Sequence, residues 1–309
     1  MIYSSLNVFC DWADVTCSAD ESFLTNFYTF LRYHVEWSLA VDDDDKKLYS
    51  YDGGTIHITI KPAFHRVSLS GGALAYFRKQ GALDEMLFVL SEVPHKVTRL
   101  DAALDLPIDG PIFLRKLESA YPKDTMNFSR KALKVTRMYS ARETDGQQTG
   151  TWYAGHRSSA RVTARVYDKI QELVDKRGLY RPSLEERFPR GLTRVELTFR
   201  KDFGCTLRDI SMPASLFYEY SEPVLVNRPQ GVSPWSPTDM VGWAGVAPDR
   251  SLTLSRFRYK LEQSPELTRI AQLAAQFGPN GTDVVIRAFR THIEHALRES
   301  EAESAPADR

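Results

Sequence analysis

The sequence has little of what marks several large classes of protein. Its 309 residues contain three cysteines, Cys10, Cys17 and Cys205, too few and too irregularly spaced for a disulfide framework or a zinc site. Basic and acidic residues balance at 40 each, so net charge gives no sign of a polyanionic partner. No run of eighteen uncharged apolar residues occurs, so we expect no membrane partner and a cytoplasmic location.

What is present is the composition of a folded protein. Hydrophobic residues make up 42% of the chain and aromatic residues 11%, which favours a substantial core. Alternating apolar residues predict strands, and apolar residues at helical spacing predict helices between them. We therefore predict an α+β fold with a central, largely antiparallel sheet from two pseudo-symmetric duplicated halves, with flanking helices and additional C-terminal helices.

The predicted duplication rests on a short internal sequence similarity. The segments VTRLDAALD and LTRVELTFR share the order Thr, Arg, apolar residue, acid, so that Asp101 matches Glu196. Residues 41–47, an acidic run with lysines, are predicted to form a solvated loop. The predicted organisation is a duplicated domain over 1–211 with halves of about 1–108 and 109–211, a Pro-rich connection over 212–250, a helical region over 251–298 and a disordered tail over 299–309.

One predicted strand, residues 160–169, has two very different faces. Alternation places Arg161, Arg165, Tyr167 and Lys169 on one side and small apolar residues on the other. A phenol is a weak nucleophile at neutral pH, and nearby cations favour the phenolate and neutralise a phosphate. Tyr167 is therefore a candidate nucleophile toward DNA, with Arg165 and Lys169 as its catalytic partners; the alternative is a packed cross-strand aromatic.

The region around this strand is cationic. Between residues 129 and 200, Lys and Arg outnumber Asp and Glu by sixteen to eight. The segment WYAGHRSS within it places aromatic rings beside a glycine, a cation and small hydroxyls, which suit base stacking and phosphate binding, or else simply close a hairpin. The predicted DNA contacts are Trp152, Tyr153, Arg157, Ser158, Ser159 and Arg161.

Six segments in a fixed order resemble the replication initiation factor family of rolling-circle plasmids and filamentous phages. They are Cys10-Asp11-Trp12 with Thr16, VSLSGGALAYF, VTRLDAALDL, WYAGHRSS, RVYDK and LTRVELTFR, and they cover about residues 8–200. The family is similar to certain mobilisation relaxases of integrative elements. The resemblance implies that Tyr167 becomes covalently joined to DNA and that Asp101 and Glu196 bind a divalent metal.

The expected metal is Mg²⁺ or Mn²⁺, because two carboxylates suit a hard cation that stabilises charge on a phosphodiester. Asp105 shares the face of Asp101 and is a third ligand or a strand-end cap. The alternative for Asp101 and Glu196 is ion pairing with Arg99 and Arg194.

The function predicted from these features is that of a rolling-circle replication initiator, a metal-dependent nicking-closing enzyme. It would bind double-stranded origin DNA and single-stranded DNA, with a host helicase and a second copy of the chain as further partners. The alternatives are a mobilisation relaxase with the same chemistry and a sequence-specific DNA-binding regulator that forms no covalent bond.

Overall fold

The computed structural model describes residues 8–34, 38–51, 53–120, 135–139, 150–155, 161–200, 203–221, 264–276, 278, 281 and 283–291. The chain divides into two units, Met1–Ser255 and Arg256–Arg309. The strands of the first unit are β1 (Phe9–Ser18), β2 (Ser38–Asp43), β3 (Lys46–Tyr51), β4 (Gly54–Lys61), β5 (Phe64–Ser70), β6 (His95–Leu106), β7 (Val135–Tyr139), β8 (Gly150–Ala154), β9 (Val162–Asp168) and β10 (Thr193–Arg200). Its helices are α1 (Glu21–Tyr33), α2 (Gly71–Gln80), α3 (Leu83–Ser91), α4 (Gly110–Ala120), α5 (Lys169–Arg177), α6 (Arg181–Arg187), α7 (Leu207–Ser211) and α8 (Ala214–Ser221). The second unit contains α9 (Pro265–Gln276) and a helical stretch over 283–291.

The ten strands of the described part of the chain form one sheet, in the order β2-β3-β4-β5-β1-β6-β10-β9-β8-β7. Each neighbouring pair is antiparallel. The predicted α+β class, with an antiparallel sheet, flanking helices and C-terminal helices, is confirmed.

Period-two alternation divides the central strands into an apolar and a polar side. Leu100, Ala102 and Leu104 of β6 are fully buried on the apolar side. Helix α2 packs against β1 and β4, α7 against β1 and β6, and α8 against β6, so this side faces the helices. Phe77 of α2 and Phe217 of α8 are 0% exposed. The helices therefore seal the core on one side of the sheet, and the opposite side carries the polar residues described below.

The two strands that contain the similar segments, β6 and β10, are neighbours at the centre of the sheet. Their register pairs Asp105 with Arg194 and Asp101 with Thr198. Strand β9 pairs directly with β10, whereas β1 lies between β5 and β6. The duplication remains a prediction. The two sides of the β6–β10 pair differ, because β10 is followed by β9 and β8 whereas β6 is followed by β1 and β5.

Three local differences from the predicted elements have simple causes. The acidic run is not a loop, because Asp42 and Asp43 pair across a hairpin with Lys47 and Lys46, which neutralise them. Lys169 is not a strand residue, because the strand ends at Asp168, which caps α5 by accepting from the N–H of Gln171. Short helices α6, α7 and α8 were not predicted, since each is too short to show a helical period.

No helix in the described ranges has the length and apolar character needed to cross a membrane.

Candidate functional site

Successive rows of side chains cross β6, β10 and β9 on the polar side of the sheet. The first row holds Asp105, Arg194 and Tyr167, and the second holds Ala103, Glu196 and Arg165. The third holds Asp101, Thr198 and Thr163. The fold thus brings the predicted nucleophile, one predicted cation and the three predicted carboxylates onto one face of three adjacent strands.

Tyr167 lies deep in this face, with 6% of its surface exposed. Its hydroxyl donates to Oε2 of Glu196 at 3.4 Å. The guanidinium carbon of Arg165 lies 5.3 Å from its ring centroid, and Nζ of Lys169 lies 5.8 Å from the same point. Both predicted catalytic cations therefore flank the ring, Arg165 from the strand and Lys169 from the first turn of α5.

Burial outweighs these cations in setting the acidity of the phenol. Loss of hydration, and then the charge of Glu196, raise the pKa of Tyr167 well above its usual value, while Arg194 and Arg165 act in the opposite direction. The sequence predicted that neighbouring cations favour the phenolate. They do lower the pKa of Tyr167, but burial and Glu196 raise it by more. Burial thus disfavours the phenolate, and Glu196 is the carboxylate that accepts the hydrogen bond of the phenol.

Glu196 is fully buried and only partly neutralised. Nη2 of Arg165 lies 2.6 Å from its Oε2 and 2.5 Å from its Oε1. Burial, and then the charge of Asp101, raise the pKa of Glu196 to about 8 despite this partner. Among the described residues, Oε1 accepts no hydrogen bond of good geometry. The charge of Asp101 and the burial of Glu196 therefore outweigh the ion pair with Arg165.

A divalent cation held by Asp101 and Glu196 remains a prediction, because both carboxylates are buried but each is already paired with an arginine. A hard cation takes carboxylate oxygens as ligands and would relieve the repulsion between them. No cluster of three or more His, Cys, Asp or Glu side chains suited to a metal occurs in the part of the chain that the structure describes. The third predicted ligand, Asp105, accepts two hydrogen bonds from Arg194. A cation at Asp101 and Glu196 would therefore take other ligands from water and substrate.

The ion pairs expected as the alternative to metal binding form in part. Arg99 donates to both oxygens of Asp101, through Nε at 2.9 Å and Nη2 at 2.5 Å. Glu196 pairs with Arg165 instead of Arg194. Each of the predicted metal ligands thus has an arginine partner in this structure.

Arg194 organises the end of the site nearest to α5, a role beyond the ion pair with Glu196 that was considered for it. It is 7% exposed, and its Nε and Nη2 donate to Asp105 at 2.6 Å and 2.8 Å. Its Nη1 donates to Oδ1 of Asp11 at 2.8 Å. One buried guanidinium therefore joins β10 to β6 and β1 beside Tyr167.

Asp11 reaches Arg194 because β1 contains a β-bulge. Cys10 pairs with Ala102 and Trp12 pairs with Asp101, which leaves Asp11 as an extra residue. Bulges re-aim side chains, and periodicity does not reveal them. The sequence feature connected with this arrangement is the pair of glycines after β5. A side chain at Gly71 would collide with Asp11, because its Cβ would lie 2.3 Å from Oδ1 of Asp11.

The first turns of α5 complete the polar cluster. Lys169 pairs with Glu172, which also pairs with Lys176 at 2.8 Å. Burial, and then the charge of Arg194, lower the pKa of Lys169. Burial alone would raise the pKa of Glu172, but Lys169 and Lys176 outweigh it and lower the value to about 2. Glu172 therefore stays ionised and holds the lysine beside Tyr167.

The predicted DNA contacts separate into three groups. Trp152 is 0% exposed and lies opposite Val166 on the apolar side, so it belongs to the core and a base-stacking role does not fit it. Tyr153 lies opposite Arg165 on the polar side and is half-buried, and Arg161 is exposed. The remaining three, Arg157, Ser158 and Ser159, lie outside the described residues.

Comparison with known proteins gives a result at the level of fold. No family model and no curated protein sequence matches the chain. A solved structure, that of a rolling circle replication initiator protein from Geobacillus stearothermophilus, is similar with a TM-score of 0.52 and 16% sequence identity. The similarity covers 77% of this chain and 95% of that one, so the two proteins share a fold over most of their lengths.

Proposed function

We propose that the protein is a replication initiator that nicks one DNA strand at a rolling-circle origin. The observation that carries this proposal is a tyrosine surrounded by arginines, a lysine and two buried carboxylates on three adjacent strands. The fold shared with a rolling circle replication initiator protein supports it. The reaction would take place in the cytoplasm, on double-stranded origin DNA opened to a single strand.

In the proposed reaction, Oη of Tyr167 attacks the scissile phosphorus. The new Oη–P bond replaces the P–O3′ bond, which leaves a 5′-phosphotyrosine link and, after protonation from water, a free 3′-hydroxyl. The phenolic proton passes to water, and Oε2 of Glu196, which accepts from the hydroxyl at 3.4 Å, orients the phenol. The exchange conserves the number of phosphoester bonds, so rejoining needs no external energy source.

The cations around Tyr167 then act on the phosphate. Arg165, whose side chain is 30% exposed, is accessible enough to contact a phosphate oxygen. Lys169 lies on the other side of the ring and offsets negative charge on the leaving phenolate during rejoining. Mg²⁺ or Mn²⁺ on Asp101 and Glu196 would supply Lewis-acid stabilisation of the phosphate charge.

A covalent adduct tests the proposal. The protein is incubated with Mn²⁺ and supercoiled DNA carrying the sequences that flank its gene, and the products are separated under denaturing conditions. We expect a protein–DNA adduct that is lost in Tyr167→Phe and retained in Tyr33→Phe, the control tyrosine, which is 84% exposed on helix α1. An adduct of equal yield in Tyr167→Phe contradicts the assignment.

A second candidate is a DNA-binding regulator without covalent chemistry. The burial of Tyr167 and its raised pKa favour this alternative, because an inert tyrosine has no need of exposure or acidity. Specific binding to the same DNA with neither nick nor adduct would support it. A mobilisation relaxase uses the same chemistry as the initiator, and conjugative transfer dependent on Tyr167 without plasmid replication would identify that role.

A further inference from the structure

On the polar face, the arginines that pair with the two buried carboxylates are more exposed than the carboxylates themselves. The carboxylates of Asp101 and Glu196 lie beneath the surface, at 1% and 0% exposure. The side chains of Arg99 and Arg165 are 29% and 30% exposed. At this part of the face a ligand can therefore reach the guanidinium groups more readily than the carboxylates, which suits a polyanion.

Three arginines, here termed the arginine row, lie at the end of this face opposite Arg194. Arg99 and Arg200 are register partners across β6 and β10. The backbone N–H of Arg200 donates to the carbonyl of Arg161 at 2.9 Å, which extends the row to β9. Arg161 is six residues from Tyr167, which corresponds to about 20 Å along a strand. The row is therefore several nucleotides away from the reacting tyrosine, on the same face.

Trp12 lies beside the arginine row on β1. It pairs with Asp101 and belongs to the polar side of the sheet, where an indole is unexpected, and it is only half-buried. Its Nε1 donates to Oδ1 of Asp14 at 2.8 Å, and the guanidinium carbon of Arg99 lies 5.3 Å from its ring centroid. The ring is thus fixed in orientation and has its polar atom satisfied, which leaves the aromatic surface that Arg99 does not cover as the part available to a ligand.

We propose that this face binds the single strand that continues from the scissile phosphate, with Trp12 stacked on a base and Arg200 and Arg161 bound to phosphates. This inference rests on the proposed nicking function and identifies where the opened strand runs. Base faces are accessible to an indole only in an unpaired strand, which favours single-stranded over duplex DNA. The arginines supply the charge complementarity that holds the backbone.

The competing role for Trp12 is internal: it would position Arg99 on Asp101 without touching DNA. Binding is therefore measured without divalent cations, in EDTA, to two probes of equal length. One is a thymidine oligonucleotide of about twelve residues, and the other is the same backbone with every base removed. A base-stacking residue affects only the first probe, whereas a positioning residue affects both alike.

We expect wild-type protein to prefer the thymidine oligonucleotide. Trp12→Ala should weaken that binding by about 5-fold to 100-fold, the range for loss of one stacked base, and leave the abasic probe unchanged. Trp12→Phe should keep most of the preference. Tyr33→Ala, which removes an aromatic ring that is 84% exposed on helix α1, should change neither affinity.

The arginines have a different signature. Arg161→Ala should weaken both probes alike and reduce the slope of log affinity against log salt by about one. Equal affinity of wild-type protein for the two probes, or an equal loss for both in Trp12→Ala, overturns the proposal. If Trp12→Ala does not fold, quenching of tryptophan fluorescence provides the test. The thymidine probe should quench an emission component that is present in wild type and absent from Trp12→Phe. Identical quenching in both proteins overturns the proposal.

These results are independent of nicking. A base preference that depends on Trp12, without any adduct, rejects the nicking function and retains the binding face. An adduct at Tyr167 without that preference rejects the binding face alone.

Discussion

Arg194 joins three strands through charged hydrogen bonds inside the protein. Its partners Asp105 and Asp11 lie on different strands, and its guanidinium carbon packs 4.9 Å from the ring centroid of Phe9. Two carboxylates and one guanidinium in a buried site stabilise one another only while all are present. Removal of the arginine leaves buried negative charge beside Tyr167.

We therefore expect Arg194→Ala to lower the free energy of unfolding by about 3 to 5 kcal/mol, measured by denaturant titration. Lys61→Ala provides the comparison, because its ion pair with Asp45 is largely exposed and should contribute less than about 1 kcal/mol. A loss for Arg194→Ala no larger than that for Lys61→Ala contradicts a structural role for the network.

Glu172 links stability to pH. Its pKa is about 2 in the folded chain against a usual value of 4.5, so the ionised form is favoured by folding. The contribution is present above the unfolded pKa and is lost as pH falls through about 2. The difference in free energy of unfolding between wild type and Glu172→Gln should therefore be constant from pH 7 to about 5 and shrink below that. A difference that does not change down to the acid limit of folding would contradict the pairing with Lys169 and Lys176.

At the residue scale, the sequence was sufficient for the members of the site that follow strand periodicity. Tyr167, Arg165, Asp101 and Glu196 alternate on their strands, so their common face was predictable once the strands were placed. Trp152 does not fit its predicted contact with DNA, because its place in the alternation, opposite Val166, puts it on the apolar side. The burial that raises the pKa of Tyr167 depends on long-range packing and has no local sequence signal.

At the element scale, the β-bulge in β1 and the start of α2 act together. The bulge turns Asp11 toward Arg194, and the absence of a side chain on Gly71 leaves room for that carboxylate. Ser70 caps α2 by accepting from the N–H of Ala73. The SGG segment therefore ends a strand, begins a helix and makes space for a site residue.

Gly71→Ala should disturb this junction. Its Cβ would lie 2.3 Å from Asp11 Oδ1 and 2.8 Å from the Asp11 carbonyl, so β1 or α2 must shift, at a cost of about 1 to 3 kcal/mol in denaturant unfolding. Gly81→Ala is the contrasting variant, because no atom lies within 4 Å of its Cβ and only its left-handed backbone is strained. If Gly71→Ala is as stable as wild type, the close approach to Asp11 has no energetic consequence.

Long helices and strands were predictable from the sequence. Short helices, and strands whose charges are balanced only by a neighbouring strand, were not. The apolar spacing of α1 and the alternation of β4 and β6 extend over enough residues to determine their type. The acidic hairpin of β2 and β3 was hidden, because its charges are balanced only across the two strands. Pairing between strands is information that a single segment does not contain.

At the scale of the whole molecule, the site lies where two strands that are distant in sequence meet at the centre of the sheet. Asp101 is on β6 and Glu196 on β10, the two strands that meet at the centre of the sheet. A cation bound to both carboxylates would connect β6 to β10. It would stabilise the folded chain by mass action.

Thermal unfolding in EDTA and in Mn²⁺ measures that effect. At about ten times the dissociation constant, the cation should contribute about 1.4 kcal/mol and raise the midpoint of wild type by roughly 3 °C. Asp101→Asn and Glu196→Gln, each compared with its own midpoint in EDTA, should lose the increase, while Glu172→Gln should retain it. An undiminished increase in Glu196→Gln would remove that residue from the metal site.

The central claim is that Tyr167 forms a covalent bond with DNA. The most direct measurement is mass spectrometry of the adduct after nuclease and protease digestion, with fragmentation of the peptide that contains Tyr167. The proposed mechanism predicts a nucleotide joined through its 5′-phosphate to Tyr167 and a free 3′-hydroxyl on the other DNA end. A nucleotide attached to any other residue, or a nick that carries a 5′-phosphate with no protein attached, would contradict it.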